Sequence, residues 1–69
     1  MTKEELLKEI KSQEFPKQWR WGQSVFNYID AVYQVARDVQ FKDRVDCFYN
    51  DEAVDEFLDK CIARINDEN

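Results

Sequence analysis

The sequence predicts a small, mainly α-helical domain: a three-helix arrangement with an irregular connector between the second and third helices. Three observations carry that prediction. Apolar residues recur at helical spacing in three separate stretches. The 69-residue chain has one Gly and one Pro, too few for the many turns of a sheet-rich domain. Hydrophobic residues make up 43% and aromatics 14%, enough for a core and unlike an acidic disordered tail. A chain this short forms one domain, over residues 1–69.

The first helix opens at Thr2-Lys3-Glu4-Glu5. Thr2 followed three residues later by Glu5 fits a capping box, in which each side chain satisfies an orphan backbone N–H of the other. Leu6, Leu7 and Ile10 then form a narrow apolar stripe, with Glu4 and Lys8 as a supporting pair one turn apart. So short a helix is marginal alone and must dock. Phe15-Pro16 ends the run, because Pro disfavours helix at the residue before it.

The second helix has the strongest pattern, from Lys17 or Arg20 to Arg37. Val25, Phe26, Ile29, Val32, Tyr33 and Ala36 recur with a period of 3.6. Trp21, Tyr28 and Val35 widen the stripe on one side and Trp19 borders it on the other, so the helix should meet two partners. Gly22 weakens the first turn, which leaves the start on either side of it. In residues 38–50, Val39, Phe41, Val45, Cys47 and Tyr49 alternate at period two around the polar Lys42-Asp43-Arg44. That pattern fits a short hairpin or an extended loop. An Asn50 or Asp51 cap then starts the third helix, with Val54, Phe57, Leu58, Cys61, Ile62 and Ile65 on its apolar face.

The net charge of −5 is local. Residues 1–17 balance four Lys against four Glu, and residues 18–50 balance four basic residues against four Asp. Residues 51–69 carry two basic residues against seven acidic ones. Asp51, Glu52, Asp55, Glu56 and Asp59 precede Lys60 and Arg64, an order that suits the helix dipole. The same five carboxylates are the candidate acidic face of an inhibitor or nucleic-acid mimic that would occupy a basic site on a partner.

An enzyme is not expected. The chain has no His, hence no imidazole base and no activator for either Cys. Its carboxylates have no sequence reason to be buried, and one Gly cannot build a phosphate cradle. Two Cys without His cannot supply a four-ligand zinc site, so no metal and no cofactor are expected. A redox role for Cys47 is a weak third reading. Direct nucleic-acid binding is disfavoured by the charge. No segment approaches the ~18 apolar residues of a membrane span, and no secretory signal is visible. The expected compartment is the cytoplasm, where both thiols stay reduced and a Cys47–Cys61 bridge is disfavoured.

Lys17-Gln18-Trp19-Arg20-Trp21 interleaves basic and aromatic residues, as single-strand binding surfaces do, although tryptophans at a helix start more often close a small core. Gln23 and Asn27 lie one turn apart, pointing away from the other helices. They are either solvated or satisfy backbone groups of the connector. Trp19, Arg20, Trp21, Gln23, Asn27 and Tyr28 are therefore the candidate residues for contact with a protein partner, with a second copy of the chain left open.

The run Arg20-Trp21-Gly22-Gln23-Ser24-Val25-Phe26-Asn27, with Val45-Asp46-Cys47-Phe48-Tyr49-Asn50-Asp51 and Phe57-Leu58, resembles a set of small uncharacterised bacterial and phage-associated proteins. These share an R-x-G-Q…N segment and a later D-x-F-Y-(D/N)-(D/N) segment. Cys47 stands where many of them have Pro. The resemblance implies no activity or cofactor. It implies that Arg20, Gly22, Gln23, Asn27, Phe48, Tyr49 and Asp51 belong together, with Asp51 as a helix cap and a partner of Arg20. The expected function is non-enzymatic protein–protein contact.

Overall fold

Thr2 and Glu5 form the capping box that starts the chain. The Glu5 N–H donates to Thr2 Oγ1 at 3.1 Å, and the Thr2 N–H donates to Glu5 Oε1 at 3.0 Å. In the computed structural model, which describes residues 1–67, this box opens α1 (Lys3–Lys11). Leu6 and Ile10 are fully buried and Leu7 packs beside them. Burying each of the first two contributes roughly 1.5–3 kcal/mol, which is what docks so short a helix.

A turn closed by the Trp19 N–H on the Pro16 carbonyl leads into α2 (Trp21–Val32). The helix therefore starts at Trp21 and includes Gly22. It also ends earlier than the predicted Arg37. Gln34 adopts the left-handed conformation (φ 60°), and its N–H reaches back to the Ile29 carbonyl at 2.9 Å. The break corrects the predicted stripe. Val32, placed on it, is 52% exposed, whereas Val35, placed at its side, turns inward to 1%. A redirected chain buries Val35, Ala36 and Val39 together, and that packing outweighs continuation of the helix.

The first part of the connector, residues 38–43, is helical where a hairpin or extended loop was expected. α3 (Ala36–Asp38) continues as a π-helical turn over Val39–Asp43, and no strand occurs among the described residues. Two steps along a helix rotate the chain by roughly half a turn, so Val39 faces in and Phe41 out, just as strand alternation would place them. Period two was thus ambiguous at this length. Arg44 ends the turn in the left-handed conformation (φ 58°). Val45 and Cys47 then alternate inward along an extended segment, as predicted.

Asn50 accepts from the Glu52 N–H at 3.1 Å and caps a 3-10 turn (Asp51–Ala53) that runs into α4 (Val54–Asp67). Val54, Phe57, Leu58, Cys61 and Ile65 are buried and Ile62 is packed against them, which is the predicted face. Phe26 of α2 meets Phe57 at 5.5 Å between ring centroids, joining the two longest helices at the middle of the core. Arg64 donates two bonds to Asp43, at 3.0 and 3.1 Å, and so ties α4 to the π-helical turn. No helix is long and apolar enough to cross a membrane among the described residues.

Candidate functional site

The junction between α2 and the 44–51 segment is built around a missing side chain. A Cβ on Gly22 would lie 1.9 Å from the Cys47 carbonyl oxygen, so only glycine allows the two backbones to meet. The Gly22 N–H, an orphan donor of the first helical turn, donates to Asp51 Oδ1 at 2.9 Å. Cys47 Sγ–H donates to the Gly22 carbonyl at 3.3 Å. Asp51 thus caps α2 from across the chain, with its charge at the positive end of the helix. Arg20 donates to the Tyr49 carbonyl at 3.2 Å, so its bond goes to the connector backbone and not to Asp51 as expected.

The next residues of the connector are aimed by a second set of bonds. Asp46 Oδ1 accepts from the Phe48 N–H at 2.8 Å, an Asx-type turn, while Oδ2 accepts from Gln40 Nε2 at 2.9 Å. These bonds fasten the connector to the π-helical turn. Phe48 is thereby set edge-on to Phe26, at 5.6 Å and 84°. Tyr49 follows at 4.7 Å from Phe48. Phe26, Phe48, Phe41, Tyr49, Gln40 and Arg37 line a surface groove of about 270 Å³. Phe41 and Tyr49 are 72% and 75% exposed, more than the other large apolar side chains among the described residues. The Arg37 side chain reaches Asp30 only at 3.7 Å.

The predicted contact residues divide between packing and this junction. Trp19 stacks on Phe15 at 6.3 Å, and Phe15 meets Tyr28 edge-on. Trp21 is half-buried against the core. Tyr28 and Tyr33 both donate to Glu9 Oε2 of α1, at 2.7 and 2.6 Å. Burial, reinforced by those bonds to a carboxylate, pushes both hydroxyls up to about 12. Gln23 and Asn27 are half-buried, and no described hydrogen bond joins either side chain to the connector. Gln40 and Asp46 anchor that segment instead.

The acidic candidates are also partly engaged. Lys3 Nζ lies between Asp55 at 2.8 Å and Asp59 at 3.0 Å, and Asp51 is bonded to Gly22. Glu52 and Glu56 remain exposed. Cys47 and Cys61 are free, fully buried thiols, and burial first of all pushes each up to about 12. A thiol held protonated and out of solvent is a poor nucleophile. Among the described residues, no group of three or more acidic or thiol side chains is arranged to hold a metal ion.

Of the groove residues, Phe48 and Tyr49 were reached through the resemblance, whereas Phe41, Arg37 and Gln40 were missed. The signal for Phe41 was its place opposite Val39, which strand and helix patterns share. No family model matches the chain, and no curated protein and no solved structure shows significant similarity to it.

Proposed function

We propose that this chain is a non-enzymatic protein that acts through protein–protein contact, and that the groove flanked by Phe41 and Tyr49 makes the contact. One observation carries the reading: two largely exposed aromatic rings, Phe41 and Tyr49, line one groove together with Phe26 and Phe48. Aromatic side chains clustered at a concave surface are the usual anchors of protein interfaces. The π-helical turn supports the same reading, since such irregular turns frequently mark functional sites. This surface replaces the Trp19, Trp21 and Tyr28 face as the principal contact, because those rings are spent on packing against Phe15, the core and Glu9.

The acidic-inhibitor alternative is less well supported. Lys3 compensates Asp55 and Asp59, which leaves no continuous double row of free carboxylates on α4. The setting we propose is the cytoplasm of a bacterium or a phage-infected cell. The buried free thiols suit a reducing compartment.

The test uses the immobilised chain, a partner identified by co-purification, and rebinding of that partner in purified form. Rebinding that survives roughly 0.5 M salt and is lost in Phe41→Ser supports the reading, because exposed ion pairs are screened at that ionic strength. Rebinding lost in Trp19→Ala but kept in Phe41→Ser returns the contact to the tryptophan face. Binding that collapses with salt and with Glu52→Gln/Glu56→Gln favours the acidic alternative.

A further inference from the structure

We infer that the groove takes a short acidic peptide segment of a partner protein, in which an apolar side chain enters between Phe41 and Tyr49 and a neighbouring carboxylate meets the Arg37 guanidinium. This rests on the protein-contact reading above. An open groove of about 270 Å³, at the lower edge of the roughly 300–1,000 Å³ of small-molecule sites, has room for one large side chain. Its floor and walls are the rings of Phe26, Phe48, Phe41 and Tyr49, so the entering group is apolar or aromatic.

Charge selects the flanking chemistry. Among the described residues lining the groove, Arg37 is the charged one. Its side chain is 74% exposed, and its contact with Asp30, at 3.7 Å, is loose. Three other cations are committed more closely: Arg64 makes two bonds to Asp43, Lys3 lies between two aspartates, and Arg20 is on the Tyr49 carbonyl. Two anions stand nearby: Asp30, in that loose contact with Arg37, and Asp46, which has one oxygen on Gln40 and the other on the Phe48 N–H. The planar guanidinium at the groove, held only at 3.7 Å by Asp30, keeps donors exposed that can take a further carboxylate in paired hydrogen bonds.

Exposed aromatics beside a cation also occur in single-strand nucleic-acid sites, but those add a basic track along the backbone. Here residues 18–50 carry four basic residues against four Asp, and the whole chain is at −5. One guanidinium suits a segment with one or two carboxylates, not a polyanion.

The test is an amide-resolved NMR titration of the full chain with four probes. They are the blocked peptides Glu-Phe-Glu-Leu, Gln-Phe-Gln-Leu and Lys-Phe-Lys-Leu, and a short oligothymidylate. The expected result is that the peptides shift Phe41, Phe48 and Tyr49, with the acidic peptide tighter than the neutral one by about two- to five-fold, the scale of one exposed ion pair. In Arg37→Gln the acidic and neutral peptides should bind equally, and the exposed position of Arg37 leaves the fold intact. Neutral or basic peptides that match the acidic one in the unaltered chain overturn the acidic-partner inference while the groove stands. Peptides that leave Phe41, Phe48 and Tyr49 unshifted overturn the groove itself. Oligothymidylate shifting those residues in place of the acidic peptide overturns both in favour of a nucleic acid.

Discussion

The Gly22 N–H donates to the Asp51 carboxylate at 2.9 Å, fastening the start of α2 to the start of the last helical segment. The bond exists because the Cys47 carbonyl occupies the space a Cβ would need. Gly22→Ala must therefore push two backbones apart. Overpacking of this kind costs roughly 1–3 kcal/mol, and a clash with backbone belongs at the upper end. Propensity returns at most about 1 kcal/mol. The expected net loss is about 2 kcal/mol, read as a lower urea midpoint with an unchanged slope.

Gln34 ends α2 with a φ of 60°, a conformation that costs an L-residue roughly 1–2 kcal/mol. Glycine removes that cost, offset in part by about 0.4–1 kcal/mol of unfolded-chain entropy. Gln34→Gly should therefore stabilise the domain by about 0.5–1 kcal/mol, a rise of a few degrees in Tm by calorimetry. A fall in Tm would mean that the exposed Gln34 side chain makes a contribution the left-handed end does not explain.

The helix boundaries divide according to what determines them. α1 and α4 were legible because their caps are local: Thr2 with Glu5, and Asn50 with the Glu52 N–H. The end of α2 was not, since neither Gly nor Pro marks Gln34 and the break is imposed by the burial of Val35 and Val39. The π-helical turn was hidden for a related reason: Val39 inward and Phe41 outward satisfy a strand and a helix equally. Within the candidate site, Gly22 is bonded to Asp51 and Arg20 to the Tyr49 carbonyl, whereas no described hydrogen bond brings Gln23 or Asn27 to them. The roles of Arg37 and Gln40 are not legible in the sequence, because they depend on where the broken helix redirects the chain.

Tyr28 and Tyr33 share one acceptor, Glu9 Oε2, and burial followed by the Glu9 bond raises each from 10.0 to about 12. A raised folded value means that the native state holds these protons more tightly than the unfolded chain. Their contribution to stability is complete below about pH 10 and is lost as pH rises through about 12. Urea midpoints measured across that interval should fall more steeply for the unaltered chain than for Tyr28→Phe/Tyr33→Phe. Equal slopes would mean that the hydroxyls titrate alike in both states. Absorbance of the phenolate, followed during the same titration, reports the two late ionisations directly.

Phe41 lies 72% exposed on the π-helical turn, whereas Phe57 is fully buried against Phe26. The two rings are chemically identical, so replacing each separates function from stability. Phe57→Ala opens a cavity at the junction of α2 and α4 and should cost roughly 3–5 kcal/mol, a loss that a domain of this size tolerates poorly. Phe41→Ser removes little buried surface and should change stability by less than about 0.5 kcal/mol in urea denaturation. A large destabilisation by Phe41→Ser would make Phe41 a packing residue of the π-helical turn and remove the case for its ring as a contact held in solvent. An unchanged midpoint leaves that exposed ring with no folding role, and any loss of partner binding in the same variant then belongs to the surface alone.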